Sequence, residues 1–349
     1  MPPQFYHLIA FAISAVVVLV STPIVKRVGL TSGRVDVPDS RKVHQRPMVR
    51  LGGVSIFLGS LTALLLVWML GGFGILPPHK EYEIWGVTIG GLVFFLIGLA
   101  DDLFSLSPIA RLLLQVSAAS CAWFVGVQID FVSIPGLGIT QLPLLISWLF
   151  TIVWLVGMTN AVNWIDGLDG LAAGVCGIAA VVMLIVSLFM NQPAAALIVA
   201  AMAGGALGFL RYNFNPAQIF MGDGGSYYLG FTLASVGVIG LLKSVTTVAV
   251  LLPFLILAVP ILDMSAVIID RLRSGKSPFI ADKRHLHHRL LKAGLSHRLT
   301  VLFIYSLTLW LGSLALAIAR IPSGVAYAVA ATALLIYTVW KVRKHAQVP

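Results

Sequence analysis

Charge is what this sequence has least of. Only 10% of its 349 residues are Asp, Glu, Lys or Arg, against roughly 25% in a soluble domain, too few to clothe a large water-facing surface. Acids are scarcer than bases, 13 against 23. Cysteine occurs twice, and Cys121 and Cys176 both lie inside apolar stretches, which argues against a disulfide framework or a cysteine-ligated metal. Internal repeats, low-complexity tracts and a segment polar enough for a soluble domain are also missing. Hydrophobic residues fill 59% of the positions, and the mean hydropathy is +0.98. Together these describe an all-α polytopic membrane protein, since a helix satisfies its own backbone hydrogen bonds in lipid.

Apolar runs of bilayer length fall near 5–28, 51–71, 84–100, 108–127, 143–161, 167–190, 194–212, 226–242, 246–270, 298–319 and 322–341. They predict about eleven transmembrane helices, with the first retained rather than cleaved as a signal peptide. Alternating the loops between two sides separates the charges sharply. Of the 23 Lys and Arg, all but Lys80, Lys243 and Arg320 fall on one side. The positive-inside rule makes that side cytoplasmic, with the N-terminus outside and the C-terminus inside. The formal net charge of +10 is thereby accounted for by topology, and no nucleic-acid partner is expected. The outer loop 128–142 is expected to form at most a small structural hairpin.

The few acids gather where apolar segments end, on the cytoplasmic side. Carboxylates beside a membrane are costly, and so are candidates for function. Asp101-Asp102 close one segment; on a helix their side chains diverge by about 100°, so they should play different roles. Arg111, just downstream, either meets a phosphate or anchors the loop. In NAVNWIDGLDGLAAG, Asn160, Asn163, Asp166 and Asp169 recur every three residues. On a helix that spacing makes a stripe able to ligate a hard cation or read a nucleobase edge. In FNPAQIFMGDGGSYYLG, Asp223 lies among glycines at a helix start, a setting suited to a cation-bridged phosphate. Phe220 is placed to stack on a base.

A basic loop, RLRSGKSPFIADKRHLHHRLL, carries Arg271, Arg273, His285, His287 and His288. Zinc binding is disfavoured because no cysteine or acid cluster completes a tetrahedral set, so an anion-binding loop is expected. The first cytoplasmic loop, RKVHQRPMVRLGGV, adds Lys42, His44, Arg46 and Arg50, suited to a lipid phosphate. Asp263 and Asp270 are expected to be structural, Asp270 pairing with an arginine.

Taken jointly and in order, DD, NAVNWIDGLDG, FMGDGGS and HLHH resemble the polyprenyl-phosphate N-acetylhexosamine-1-phosphate transferases, and the interrupted HLHH is similar to their WecA/TagO branch. The resemblance implies a single integral-membrane transferase domain over 1–349, with a cytoplasm-facing cleft, in a bacterial plasma membrane. It implies transfer of GlcNAc-1-phosphate from UDP-GlcNAc to undecaprenyl phosphate, Mg²⁺ as cofactor with Mn²⁺ as an alternative ion, and a homodimer as is common in the family. By that resemblance Asp223 and Asp166 hold the metal, and Asp101 or Asp102 accepts a proton. Asn163, Asp169 and Phe220 meet the uridine, while the histidines, Arg271 and Arg273 meet the sugar and diphosphate. Alternatives are the phospho-MurNAc-pentapeptide transferases, another UDP-N-acetylhexosamine donor and, outside enzymes, a secondary transporter; transporter sites typically lie at the bilayer midplane rather than at one face.

Overall fold

The computed structural model describes residues 3–33, 35–36, 47–74, 76–134, 138–242, 247–275 and 284–346. Its helices are α1 (Pro3–Thr31), α2 (Gly52–Met69), α3 (Pro78–Phe104), α4 (Pro108–Phe124), α5 (Leu144–Ile165), α6 (Leu171–Phe189) and α7 (Pro193–Asn213). There follow α8 (Gly222–Val236, continued by a π-helical turn, Gly237–Leu242), α9 (Thr247–Ile256), α10 (Ala258–Arg273), α11 (Leu286–Lys292), α12 (His297–Ile318) and α13 (Gly324–Ala346). Two short antiparallel ribbons complete the fold, β1 (Val35–Asp36) with β2 (Met48–Val49), and β3 (Phe131–Ile134) with β4 (Gly138–Gln141). The second is the hairpin expected in the loop 128–142.

The chain is a multi-pass, all-α membrane protein. Among the described residues nine helices are long and apolar enough to span a bilayer. The pair α9 and α10 brings the number to ten if its bent halves count as one span, while α4 is shorter than the rest. The expected eleven is therefore reached only by counting both. The segment expected as one span over 246–270 is bent by 75° between α9 and α10. Pro253 lies inside α9 and Pro260 in the first turn of α10. Each removes a backbone donor, and a break is the usual consequence.

α8 is the hub. Its membrane-length stretch is wholly buried, although it is the least apolar of the nine, whereas most of α1 is exposed. The inversion has a simple cause: α8 is encased by protein, not lipid, and packs on α2, α3, α5, α6 and α7. Between membrane helices association comes from close packing rather than water exclusion, so small residues at the contact are favoured. Gly224, Gly225, Ser226, Gly230, Ala234 and Ser235 supply them, all buried. Phe94 of α3 stacks on Phe231 at 4.4 Å, and Trp154 of α5 donates to the Ala234 carbonyl at 2.9 Å.

A close approach is at Gly98 of α3, where a β-carbon would clash with the carbonyl group of Asp223. Gly98→Ala is accordingly expected to push α3 and α8 apart, costing about 1–3 kcal/mol of stability as overpacking does. A thermal-unfolding midpoint in detergent equal to that of the native protein would contradict this packing.

Candidate active site

The site is assembled from four chain segments that sequence distance keeps apart. Backbone hydrogen bonds clip the end of the first loop to the start of α8: Phe220 N–H to the Val49 carbonyl (2.8 Å), Gly52 N–H to that of Phe220 (2.9 Å) and Gly53 N–H to that of Met221 (2.8 Å). Arg50 is thereby carried to the mouth of α8. Gly222 opens that helix at φ +77°, a left-handed conformation that disfavours a side chain, and a β-carbon there would strike the Arg50 carbonyl and the Asp102 carboxylate.

Asp102 and Asp223 face one another across this junction. Asp223 Oδ1 accepts the Asn163 amide at 2.7 Å, and the same amide nitrogen reaches Ser226 Oγ at 3.0 Å. Asp102 Oδ2 accepts the Gly224 N–H at 2.9 Å. Arg50 lies 3.8 Å from both acids, Nε toward Asp102 Oδ1 and Nη2 toward Asp223 Oδ1. Asp102 is only 2% exposed at its side chain, and its Oδ1 is buried with no hydrogen-bond partner. A cavity of about 280 Å³, lined by Val35, Arg50, Leu51, Asp102, Leu103 and Ser105 among others, opens beside it.

Asp101 also lies against Asp223 but is tied to the turn into α4. Its Oδ2 pairs with Arg111 Nη1 at 2.6 Å, and its Oδ1 accepts the Leu106 N–H at 2.8 Å. The two neighbouring acids thus have different hydrogen-bond partners, and Arg111 pairs with Asp101 at the turn into α4. Asn160 bonds to Gln115 of α4 at 2.7 Å.

The expected Asn/Asp stripe does not lie on one helix face. α5 stops at Ile165, and Asp166 is its C-cap, so only Asn160 and Asn163 share the helix. Asp169 lies past the break. Its Oδ2 takes both the Asn215 amide and the Ala217 N–H, each at 2.9 Å, and so fixes the loop before α8. The buried Asn213 fastens the same loop, donating to the Ile219 carbonyl (3.0 Å) and accepting from Gly170 N–H (3.1 Å). Phe220, half-buried, ends that loop. Asp166 stays with the acids. Burial first, and then the charge of Asp223, push its carboxyl up to about 7.

The histidine motif closes the other side. His285 is the N-cap of α11, not part of an irregular loop, and Asp263 of α10 holds its Nδ1 at 2.8 Å. His287 is buried, its ring parallel to that of His285 and 4.2 Å from that of His288. A β-carbon at Gly167 would fall on the His287 ring, so this histidine lies against the residue next to Asp166. Burial, and then His288 and His285, hold the His287 imidazole down at about 3. Arg271 is buried, with its guanidinium 5.1 Å from the Trp164 ring, while Arg273 is exposed at the end of α10. Asp270 pairs with Arg284 at 2.6 Å, as expected of it. Lys42 and His44 lie outside the described residues.

Among the described residues no three His, Cys, Asp or Glu side chains cluster closely enough to hold a metal by themselves. A hard cation such as Mg²⁺ usually keeps several waters and takes one or two carboxylates plus substrate phosphates, and the neighbouring carboxylates Asp223 and Asp166 are donors of that kind. Sequence reasoning about the site passed over Trp164, whose one signal is its place inside the Asn/Asp motif, and it gave Arg50 to a lipid phosphate without foreseeing its approach to Asp102 and Asp223.

Carboxylates, amides and imidazoles at the ends of packed membrane helices define an integral-membrane transferase acting on phosphate esters, and the chain belongs to glycosyl transferase family 4, whose profile residues 84–241 match. Within it the chain falls in the polyprenyl-phosphate N-acetylhexosamine-1-phosphate transferase superfamily. It is 36% identical over 303 residues, 85% of this chain and 80% of the relative, to a probable undecaprenyl-phosphate N-acetylglucosaminyl 1-phosphate transferase of Bacillus subtilis. It is 35% identical over 328 residues, 86% and 79% of the two chains, to a decaprenyl-phosphate N-acetylglucosaminephosphotransferase of Mycolicibacterium smegmatis. An undecaprenyl-phosphate alpha-N-acetylglucosaminyl 1-phosphate transferase of Salmonella typhi is 29% identical over 287 residues, 78% and 73%.

The two shifted groups oppose one another in stability. Asp166 binds its proton more tightly when folded (about 7) than at its ordinary 3.8, so its contribution is lost as pH rises through that window. His287 falls from 6.5 to about 3 on folding, so its contribution is lost as pH drops below 6.5. Asp166→Asn, which mimics the protonated acid, should raise the metal-free thermal midpoint at about pH 8 and leave it unchanged at about pH 4. A rise of equal size at both would show that Asp166 does not titrate in this range.

Proposed function

We propose that this protein transfers GlcNAc-1-phosphate from UDP-GlcNAc to undecaprenyl phosphate, giving undecaprenyl-diphosphate-GlcNAc and UMP. The reaction takes place at the cytoplasmic face of a bacterial plasma membrane and initiates a cell-envelope glycan. The observation that carries this reading is the facing pair Asp102 and Asp223 at the mouth of α8, with one buried carboxylate oxygen unpartnered. The names of the relatives supply the donor and the acceptor class. The topology follows from the loop charges.

An oxygen of the lipid phosphate attacks the sugar-bearing β-phosphorus of the donor. The bond from that phosphorus to the bridging oxygen breaks, and UMP leaves. Asp223 and Asp166 are the residues that would hold Mg²⁺, which when bound neutralises charge on the transferring group and on the leaving phosphate. Asp102 accepts any proton from the lipid phosphate, a reading supported by the pairing of Asp101 with Arg111. Asn163 orients Asp223 rather than meeting the uridine directly. Phe220 and the Asp169 loop form the uridine end, and Asp169 keeps its Oδ1 clear of the two loop bonds on Oδ2. The histidines, with Arg271 and Arg273, face the sugar and diphosphate. Lys42 and His44 meet the lipid phosphate.

The test is UMP release by purified protein with Mg²⁺, comparing UDP-GlcNAc with UDP-MurNAc-pentapeptide, and undecaprenyl with decaprenyl phosphate. UMP is expected from UDP-GlcNAc only. Asp223→Asn should lower kcat by about 10²–10³-fold, the rate equivalent of several kcal/mol of lost charge stabilisation. Asp102→Asn should cost less, about tenfold at neutral pH, because a phosphate monoester with pKa near 6 is already largely ionised. Release from the pentapeptide donor alone, or full activity in both variants, would refute the reading.

A further inference from the structure

Asp263 was expected to be structural, and its surroundings show a more specific arrangement. It lies on α10 just beyond the bend, and its side chain is 5% exposed. Its carboxylate takes two hydrogen bonds, one on each oxygen: Oδ2 to His285 Nδ1 at 2.8 Å and Oδ1 from the Leu286 N–H at 2.7 Å. An ionised carboxylate only accepts, so Nδ1 carries a proton, and in the neutral imidazole Nε2 keeps its lone pair. The second bond fastens the first residue of α11 to the same carboxylate. One side chain therefore fixes the tautomer of His285, the plane of its ring and the start of the helix that carries His287 and His288.

The ring is bracketed from both sides. Trp164 meets it edge-on, with centroids 5.7 Å apart and planes at 72°, and His287 lies parallel at 5.7 Å. Trp164 directly follows Asn163, whose amide holds Asp223, and Trp164 also carries Arg271 on its face. The imidazole is thus held against the same turn of α5 that orients the reacting acids.

We propose that Asp263 is a positioning residue for donor recognition. By keeping His285 in the Nδ1–H form, it presents Nε2 as an acceptor for a sugar hydroxyl or the acetamido N–H of the N-acetylhexosamine. This rests on the reading of the histidine motif as the sugar end of the site. It gives α10 a role beyond anchoring the loop: the bend after α9 places a carboxylate where it decides which way an imidazole donates.

The test pairs kinetics with a measurement independent of activity. Asp263→Asn keeps the size of the side chain and an oxygen for the Leu286 N–H, but its amide group turns a donor toward Nδ1 and so favours the opposite tautomer. Its kcat/KM for UDP-GlcNAc should fall about 10–100-fold, the usual cost of losing the partner of a functional imidazole, chiefly through KM. Asp263→Glu should recover part of the loss. Added to His285→Ala, Asp263→Asn should cost nothing further, because Asp263 acts through that ring. Imidazole ¹⁵N spectra in mildly alkaline buffer, with the His285 signal assigned by its loss in His285→Ala, should show Nδ1–H in the native protein and Nε2–H in Asp263→Asn. An Nε2–H signal in the native protein, or losses that multiply in the double variant, would overturn the proposal. If the spectra come out as expected and UDP-GlcNAc yields no UMP, the tautomer control stands and the assigned donor falls.

Discussion

A carboxylate at the start of a helix wholly surrounded by protein sets the terms for everything around it. Asp223 lies in the first turn of α8, where the helix dipole favours negative charge. Asp102 lies in the last turn of α3, where the dipole of its own helix opposes it. The structure resolves the conflict by turning Asp102 onto the Gly224 N–H, an amide from the start of α8. The two acids thus share one helix N-terminus. That arrangement is open only to a helix whose neighbours come very close, hence the density of small residues along α8 and the glycine on α3 that meets its first turn.

Proximity of like charges then has to be offset. Asn163 donates to Asp223, Arg50 approaches Asp102 and Asp223, and Arg111 pairs with Asp101. Arg50 is 44% exposed at its side chain and stands 3.8 Å from each carboxylate, whereas Arg111 is held to Asp101 at 2.6 Å. Division of labour between similar residues recurs one turn away. Asp166 remains beside the reacting acids, while Asp169 and Asn213 clasp the loop that delivers Phe220 and Gly222.

The break between α9 and α10 belongs to the same logic. A straight span would carry its acids along one line; the bent one turns α10 at Leu257 and brings Asp263 under the histidine motif and Arg271 over Trp164. The histidine side of the site is therefore tied to both α5 and α10: Arg271 rests on Trp164 and His285 on Asp263.

The membrane class, the approximate positions of the spans and the four motifs were legible in the sequence, because apolar length and charge asymmetry are properties of composition along a line. The divergence of Asp101 from Asp102 was legible too, since it follows from helix geometry alone. The single Asn/Asp stripe was not: spacing cannot reveal that α5 ends at Ile165, a break made by how the following turn packs against α7 and the loop before α8. Only the tertiary structure decided how the two adjacent acids divide their partners, which arginine reaches Asp102 and Asp223, and which carboxylate meets the first histidine. Each depends on contacts between residues from 10 to 173 positions apart, and such contacts are fixed by packing in three dimensions, which a linear pattern does not encode.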